Sequence, residues 1–155
     1  LHSFPTRRSS DLLSYTLATQ SNAAELPGFS FFNDSIRDLL RGSTFDSTAP
    51  GFVTGAHSPK DLLESSFLGA PAWAAHPYQS VNYVSCHDNH TLLDRIALTL
   101  PEASLEELAK RSNLAAAFSI LSQGVPFFQA GEEMLRKARK AQENDDGTEQ
   151  TKFDI

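Results

Sequence analysis

The feature that most constrains the fold is a short apolar run that ends in a polar turn and leads at once into a helical pattern. It lies in the segment VNYVSCHDNHTLLDRI, residues Val81–Ile96. The apolar run is typical of a buried strand, and it delivers His87 and Asp88 to the carboxyl end of that strand. Barrels and doubly wound sheets of the α/β class present their catalytic groups at this end. We therefore expect an α/β fold with its chemistry after this strand.

Similar units lie on both sides of this strand. Apolar runs predict three strands, at Phe29–Phe32, Val81–Ser85 and Val125–Ala130. Helical spacing and capping residues predict four helices: one that Asn33 or Asp34 caps and Gly42 ends, one at Lys60–Phe67, one at Leu92–Leu100, and one that a Ser104–Glu107 capping box opens and Gly124 ends. Strands joined through helices by tight links are expected to run parallel with right-handed crossovers.

The last predicted helix carries an apolar stripe that should face the core. Its members are Leu105, Leu108, Leu114, Ala115, Phe118 and Leu121. Both VPFFQA, residues Val125–Ala130, and the aromatic run FSFF are expected to be buried strand segments.

Composition excludes several classes of partner. The chain has 155 residues, 40% of them hydrophobic and 21% charged, which is typical of a globular protein and not of a disordered one. Its net charge is −6 and it has no long basic run, so nucleic acid and anionic membranes are not expected partners. No apolar run approaches the roughly 18 residues that a membrane helix needs. Cys86 is the only cysteine, so no disulfide can form within the chain.

The two ends of the chain differ from the rest. Residues 1–12, LHSFPTRRSSDL, resemble translated sequencing-adapter sequence, and we expect them not to belong to the fold. Residues 137–155 form a polar tail without periodicity, which we expect to be divergent or foreign. Residues 13–136 are therefore the expected folded segment.

Asp88 is the first candidate for chemistry. An aspartate after a strand could stabilise positive charge, act as a base or bind a metal ion, or it could simply cap the helix that starts near Thr91. Cys86, His87 and His90 add further metal-binding side chains. Adjacent residues of an extended chain point to opposite faces, so we expect neither a metal site nor a Cys86–His87 nucleophile pair.

A second acidic group follows the third predicted strand. Glu132 and Glu133 come directly after Gly131, where an α/β fold would also present polar side chains. The favoured interpretation is structural: both carboxylates would complement the dipole at the start of a helix.

Four blocks of sequence resemble the α-amylase superfamily of glycoside hydrolases, and specifically type I pullulanases and related starch-debranching enzymes. The blocks are LPGFSFFNDSIRDLLRGSTF (Leu26–Phe45), GFVTGA (Gly51–Ala56), VNYVSCHDNHTLLDRI (Val81–Ile96) and AFSILSQGVPFFQAGEEMLR (Ala117–Arg136). The resemblance implies a partial (β/α)₈ TIM barrel, roughly strands six to eight with their helices. After Arg136 the sequence departs from the family's pattern, which continues with a lysine and a loop rich in Asn, Ser and Tyr.

The resemblance also implies roles for the polar turn. Asp88 matches the third carboxylate of the family's site, which stabilises the transition state, and His87 and Asn89 would bind the sugar. The nucleophile and the general acid would follow strands four and five, and their motifs are not found in this chain. The implied parent enzyme hydrolyses α-1,6 branches of pullulan, glycogen or limit dextrin by a retaining mechanism. No cofactor is expected, no residue of this chain is assigned as a metal ligand, and this segment alone is expected to be inactive.

Two alternative functions remain open from the sequence. An isoamylase or glycogen-debranching enzyme could share the same barrel, although the motifs FNDxIRDxxRG and YVSxHDNxTL favour pullulanase. A carbohydrate-binding barrel that has lost its catalytic acids belongs to a different class.

Overall fold

The structure, a computed structural model, describes residues 17–137 and the backbone of two short strands beyond them. Those strands, β4 (Gln142–Glu143) and β5 (Glu149–Gln150), pair antiparallel with each other. The segment 1–12 lies outside the described residues. Within the described residues no helix is both long enough and apolar enough to cross a membrane.

Three strands form one parallel sheet. They are β1 (Phe31–Phe32), β2 (Ser80–Asn82) and β3 (Val125–Pro126), and the order β1-β2-β3 puts β2 in the middle. Phe31 is opposite Ser80 in one ladder, and Val81 is opposite Val125 in the other. The parallel arrangement predicted from the alternation of strands and helices is confirmed, and the fold is of the α/β class.

Four helices connect and cover these strands, at the predicted places. They are α1 (Asp34–Arg41), α2 (Lys60–Phe67), α3 (Leu92–Thr99) and α4 (Leu105–Leu121), and 3₁₀ turns lie at Gln20–Glu25, Phe52–Thr54, Pro77–Gln79 and Glu132–Met134. Asn33 caps α1 by accepting the Ile36 N–H, and Ser104 caps α4 by accepting the Glu107 N–H. These are the capping roles expected of Asn and Ser at a helix start.

The strands are shorter and more exposed than predicted. The ladder between β2 and β3 ends with a hydrogen bond of 2.8 Å from the Phe127 N–H to the Asn82 carbonyl. Val125 is 41% exposed and Phe32 is 45% exposed, so burial of VPFFQA and FSFF was wrongly predicted. The reason is that β1 and β3 are the two edges of the sheet within the part of the chain that is described.

The buried face of α4 also differs from the predicted stripe. Of the six predicted members, Leu105, Leu114 and Leu121 are exposed. The residues that α4 buries are Leu108, Ser112, Ala115 and Ser119. These are mostly small side chains, so α4 can approach α3 and the 3₁₀ turn at Phe52–Thr54 closely, and the helix ends at Leu121 before Gly124 is reached.

One apolar core lies between the helices and the sheet. Its buried members are Ile36, Leu40, Val53, Val84, Leu92, Leu93, Ile96, Leu108 and Ala115. Three of them belong to α3, which follows the His87–Asp88 turn directly. The packing of α3 in the core therefore fixes the position of the carboxyl end of that turn.

Arg95 ties α3 to the loop that follows α1. Its side chain is 1% exposed, and its guanidinium donates to the carbonyls of Ser43, Asp46, Ser47 and Ala49 at 2.6–3.3 Å. A buried guanidinium that satisfies carbonyls of an irregular loop replaces the backbone partners that the loop lacks. This contact holds α1 and α3 in fixed relative positions.

Gly42 supports the same contact, and its substitution is our first test. Gly42 and Gly55 have similar positive φ angles, 92° and 98°, but only Gly42 is crowded. A Cβ at Gly42 would lie 2.0 Å from the Ala49 carbonyl oxygen and 2.6 Å from the Arg95 guanidinium, whereas a Cβ at Gly55 would meet nothing within 4 Å. Gly42→Ala should lower the free energy of unfolding by roughly 3 kcal/mol or more, and Gly55→Ala by about 1 kcal/mol. Guanidinium denaturation of both variants measures the difference, and equal losses would contradict the packing described here.

Candidate functional site

A chain of buried hydrogen bonds aligns the ends of the three strands. The Asn33 amide donates to Ser80 Oγ at 3.1 Å, and Ser80 Oγ donates to Asn82 Oδ1 at 2.8 Å. Asn82 Nδ2 then donates to the Gln123 carbonyl at 2.9 Å. These side chains join the residue after β1, both ends of β2 and the approach to β3. The parallel pairing of the three strands places their carboxyl ends at one edge.

The predicted site residues follow β2 at this edge. Ser85 is buried, Cys86 and Asn89 are half-buried, and His87 and Asp88 are exposed in a turn. No described residue forms a hydrogen bond with the Asp88 carboxylate. An exposed, unpaired carboxylate at the carboxyl end of a middle strand is available to a ligand.

Asp88 does not cap the helix that follows it. The N-cap of α3 is Thr91, whose hydroxyl accepts the Asp94 N–H at 3.2 Å and donates to the Asp94 carboxylate at 2.8 Å. The structural alternative for Asp88 was therefore wrong, because a threonine nearer to the helix already satisfies the free amide.

Cys86, His87 and Asp88 lie close together, so the expectation that neighbouring side chains point to opposite faces was wrong here. Cys86 Sγ lies 3.3 Å from His87 Nδ1, and one ligand atom from each of Cys86, His87 and Asp88 can be found within 4.8 Å of the others. Residues 87 and 88 form a turn, so their side chains do not alternate as they would in a strand. These three side chains could hold a metal ion, and two of them, His87 and Asp88, are exposed. The absence of a metal site stays a prediction.

Glu132 lies in the first turn of the 3₁₀ helix Glu132–Met134, so its predicted place at a helix start is confirmed. The sequence did not predict its burial, which leaves 9% of the residue exposed. Ser85 Oγ donates to Glu132 Oε2 at 2.5 Å, while Glu132 Oε1 is buried with no hydrogen-bond partner among the described residues. Glu133 is exposed and accepts the Gly131 N–H at 3.0 Å, as expected of an acid in a first helical turn.

Burial governs the electrostatics of Glu132. It raises the pKa of this carboxyl to about 7, against the opposing effects of the Ser85 hydrogen bond and the positive charge of Arg41. Arg136 lines the same narrow cavity beside Glu132. A carboxyl in this setting can change its protonation state near neutral pH.

Arg41 is the cation whose positive charge opposes the rise in the pKa of Glu132. It is 2% exposed, and it donates to the His90 carbonyl at 3.4 Å and to Thr44 Oγ1 at 3.2 Å. Arg41 is the last residue of α1, so its side chain connects that helix to the far end of the His87–Asp88 turn.

An aromatic and charged cluster lies beside the same strand ends. The rings of Phe32, Tyr83 and Phe127 contact one another edge to face, with centroids 5.0–6.3 Å apart. The Tyr83 hydroxyl donates to the Asp34 carboxylate, and burial raises the pKa of Tyr83. Arg37 lies over the Tyr83 ring with its guanidinium carbon 5.4 Å from the centroid. These contacts order the aromatic side chains at this edge of the sheet.

Comparison with known proteins places the chain beside pullulanases. The pullulanase of Bacillus subtilis is 39% identical over 125 residues, which are 77% of this chain and 17% of that protein. The chloroplastic pullulanase 1 of Arabidopsis thaliana is 50% identical over 85 residues, 52% of this chain and 9% of that protein. No protein-family model matches the chain.

Solved structures give the same result. The crystal structure of a pullulanase from Anoxybacillus sp. has a TM-score of 0.75 at 42% identity and covers 78% of this chain and 17% of that one. A type I pullulanase from Bacillus subtilis, crystallised with maltose, has a TM-score of 0.75 at 37% identity over 79% of this chain and 18% of that one. The chain thus matches a segment of pullulanases and spans less than a fifth of these relatives. The predicted resemblance to pullulanases is confirmed at this level.

The raised pKa of Glu132 predicts a pH dependence of stability. The folded carboxyl holds its proton up to about pH 7, while the unfolded one loses it near 4.5, so the folded state binds more protons between these values. Stability should therefore fall as the pH rises through this window, by roughly 2–3 kcal/mol for this group. Glu132→Gln removes the titration, so the variant should lose less stability than the wild type between pH 4.5 and pH 8.

Denaturation at both pH values measures the change for each protein. The exposed Glu102 provides the control, because Glu102→Gln should leave the wild-type pH dependence in place. The other charged groups around Glu132 are Arg41, Glu133 and Arg136, and they remain in every variant. The same pH dependence in Glu132→Gln as in the wild type would contradict the assignment.

Proposed function

We propose that this chain is a segment of the catalytic barrel of a starch-debranching glycoside hydrolase, and that its parallel strands are strands six to eight of a (β/α)₈ barrel. The parent enzyme hydrolyses α-1,6-glucosidic branches in pullulan, glycogen or limit dextrin. The observation that carries this proposal is the exposed, unpaired Asp88 at the carboxyl end of the middle parallel strand, in a chain similar to pullulanases. Pullulanases of similar structure have been crystallised with maltose and maltotriose, which supports an α-glucan as the ligand.

The proposed role of Asp88 is electrostatic. Cleavage of a glycosidic bond passes through an oxocarbenium-like transition state, in which positive charge develops on the sugar ring. A fixed carboxylate near that ring stabilises the transition state more than the ground state, and therefore accelerates the reaction. His87 and Asn89, on either side of Asp88, would hydrogen-bond sugar hydroxyls and orient the ring.

The nucleophile and the general acid of a retaining mechanism would come from other strands of the parent barrel. Retention needs two carboxyl groups about 5 Å apart, one attacking the sugar and one protonating the leaving oxygen. Glu132 is buried and accepts a hydrogen bond from Ser85, so its carboxylate is not accessible to a substrate as a nucleophile. We therefore propose that the isolated chain has no hydrolytic activity.

The test uses the isolated chain and a chimaera. The isolated chain should release no reducing sugar from pullulan. The chimaera is Bacillus subtilis pullulanase in which residues 17–137 of this chain replace the matched segment, and it should be active. Asp88→Asn in the chimaera should lower kcat by roughly 10²–10³-fold, because one preorganised electrostatic contact to the transition state is lost.

Asp61→Asn is the matched control, since Asp61 is an exposed aspartate in the first turn of α2, and it should leave kcat unchanged. Full activity of the Asp88→Asn chimaera would refute the catalytic role. The upstream part of the gene separates the enzyme from a carbohydrate-binding barrel: a GxRxD run followed by a catalytic glutamate indicates an enzyme, and their replacement by other residues indicates a binding protein.

A further inference from the structure

We infer that Glu132 is a positioning residue: together with Arg41 it holds the two ends of the segment 85–90, and so fixes where Asp88 and His87 stand. This inference rests on the proposed function of Asp88 for its catalytic consequence. Its structural part depends only on contacts that this chain makes itself.

The first anchor lies at the start of the segment. Ser85 is 2% exposed, and its hydroxyl donates to Glu132 Oε2 at 2.5 Å across 47 positions of sequence. Ser85 lies beyond the last ladder residue of β2, so no strand pairing holds it. Glu132 belongs to the 3₁₀ turn after β3 and therefore couples the exits of two neighbouring strands.

The second anchor lies at the end of the segment. Arg41 donates to the His90 carbonyl at 3.4 Å from the last position of α1. The next residue, Thr91, is buried and caps α3, so the chain is fixed again from that point.

Between the anchors, no hydrogen bond from another part of the described chain reaches the side chains of His87 and Asp88. His87 and Asp88 are exposed, and the contact of His87 with Cys86 is one between neighbours in the same turn. Their position must therefore come from the ends of the segment. A displacement of about 1 Å in a catalytic group can cost on the order of 10²-fold in rate, so such anchoring matters for chemistry.

Packing alone does not explain why a glutamate occupies this buried position. One of its oxygens is buried without a hydrogen-bond partner among the described residues, and a buried polar atom in that state costs free energy. An apolar side chain of similar size would avoid this cost. The carboxylate is instead suited to accepting the Ser85 hydroxyl, which an apolar side chain cannot do.

The only cysteine of the chain supplies the reporter for a test. Cys86 follows Ser85 directly, so its rate of reaction with an aromatic disulfide reagent reports how often the segment opens. In the full chain, Glu132→Ala and Ser85→Ala should each raise the labelling rate about fivefold or more, as expected when one intramolecular hydrogen bond is lost. Glu132→Gln keeps an acceptor oxygen for Ser85 and should stay within about twofold of the wild type.

Glu133→Ala is the matched control, because Glu133 neighbours Glu132 in the same turn but does not contact Ser85. It should leave the labelling rate unchanged. Labelling is measured without denaturant and compared with the rate in concentrated urea. The inference is overturned if Glu132→Ala labels no faster than Glu133→Ala, or if the wild type already labels as fast as the urea-unfolded chain.

The catalytic consequence is tested separately in the chimaera. Glu132→Ala should lower kcat roughly 10- to 100-fold when Asp88 is present. In the Asp88→Asn background the same substitution should change kcat by less than about twofold, because an anchor that acts through Asp88 has nothing left to position. Equal losses in both backgrounds would refute positioning through Asp88, whereas failure of the proposed function would show as Asp88→Asn having no effect while the labelling results stand.

Discussion

The sheet depends on a chain of side-chain hydrogen bonds as well as on its backbone ladders. Each strand has only two or three residues, so the ladders contain few pairs. Asn33, Ser80 and Asn82 supply the missing connections from side to side, and Asn33 also begins α1 by accepting the Ile36 N–H. One buried amide therefore fixes the strand register and the start of the first helix together. Its loss would remove both the acceptor of the Ile36 N–H and the donor to Ser80 Oγ.

Because the strand ends are held level, the turns that follow them meet at one edge and acquire different environments. Asp88 is exposed there, whereas Glu132 is buried and has its pKa raised to about 7. An exposed carboxylate keeps its charge available to a ligand, and a buried one is suited to holding neighbouring backbone in place through hydrogen bonds. Residues of the same chemical type thus have different roles because of the depth at which the fold places them.

The sequence predicted features that depend on near neighbours and missed those that depend on distant ones. The caps Asn33 and Ser104 were predictable, because each cap bonds to an amide three residues away. Burial of Glu132 was not, since it depends on Ser85, 47 positions away, and the sequence offers only an acidic pair after a glycine as a signal. The buried face of α4 was misassigned for a similar reason: close approach to α3 selects small side chains such as Ala115 over exposed leucines.

The position of β2 explains why the candidate site follows this strand and not its neighbours. Within the described residues, β2 alone has a paired strand on each side, whereas Phe32 and Val125 on the outer strands are more than 40% exposed. A barrel would cover both outer edges with further strands, and the proposed place of this segment in one gives those exposed side chains partners. The turn after β2 does not need further strands to be held in position. Glu132 and Arg41 already hold Ser85 and His90, so contacts within this chain set the geometry around Asp88. The bond-breaking acids would come from the strands that close the barrel.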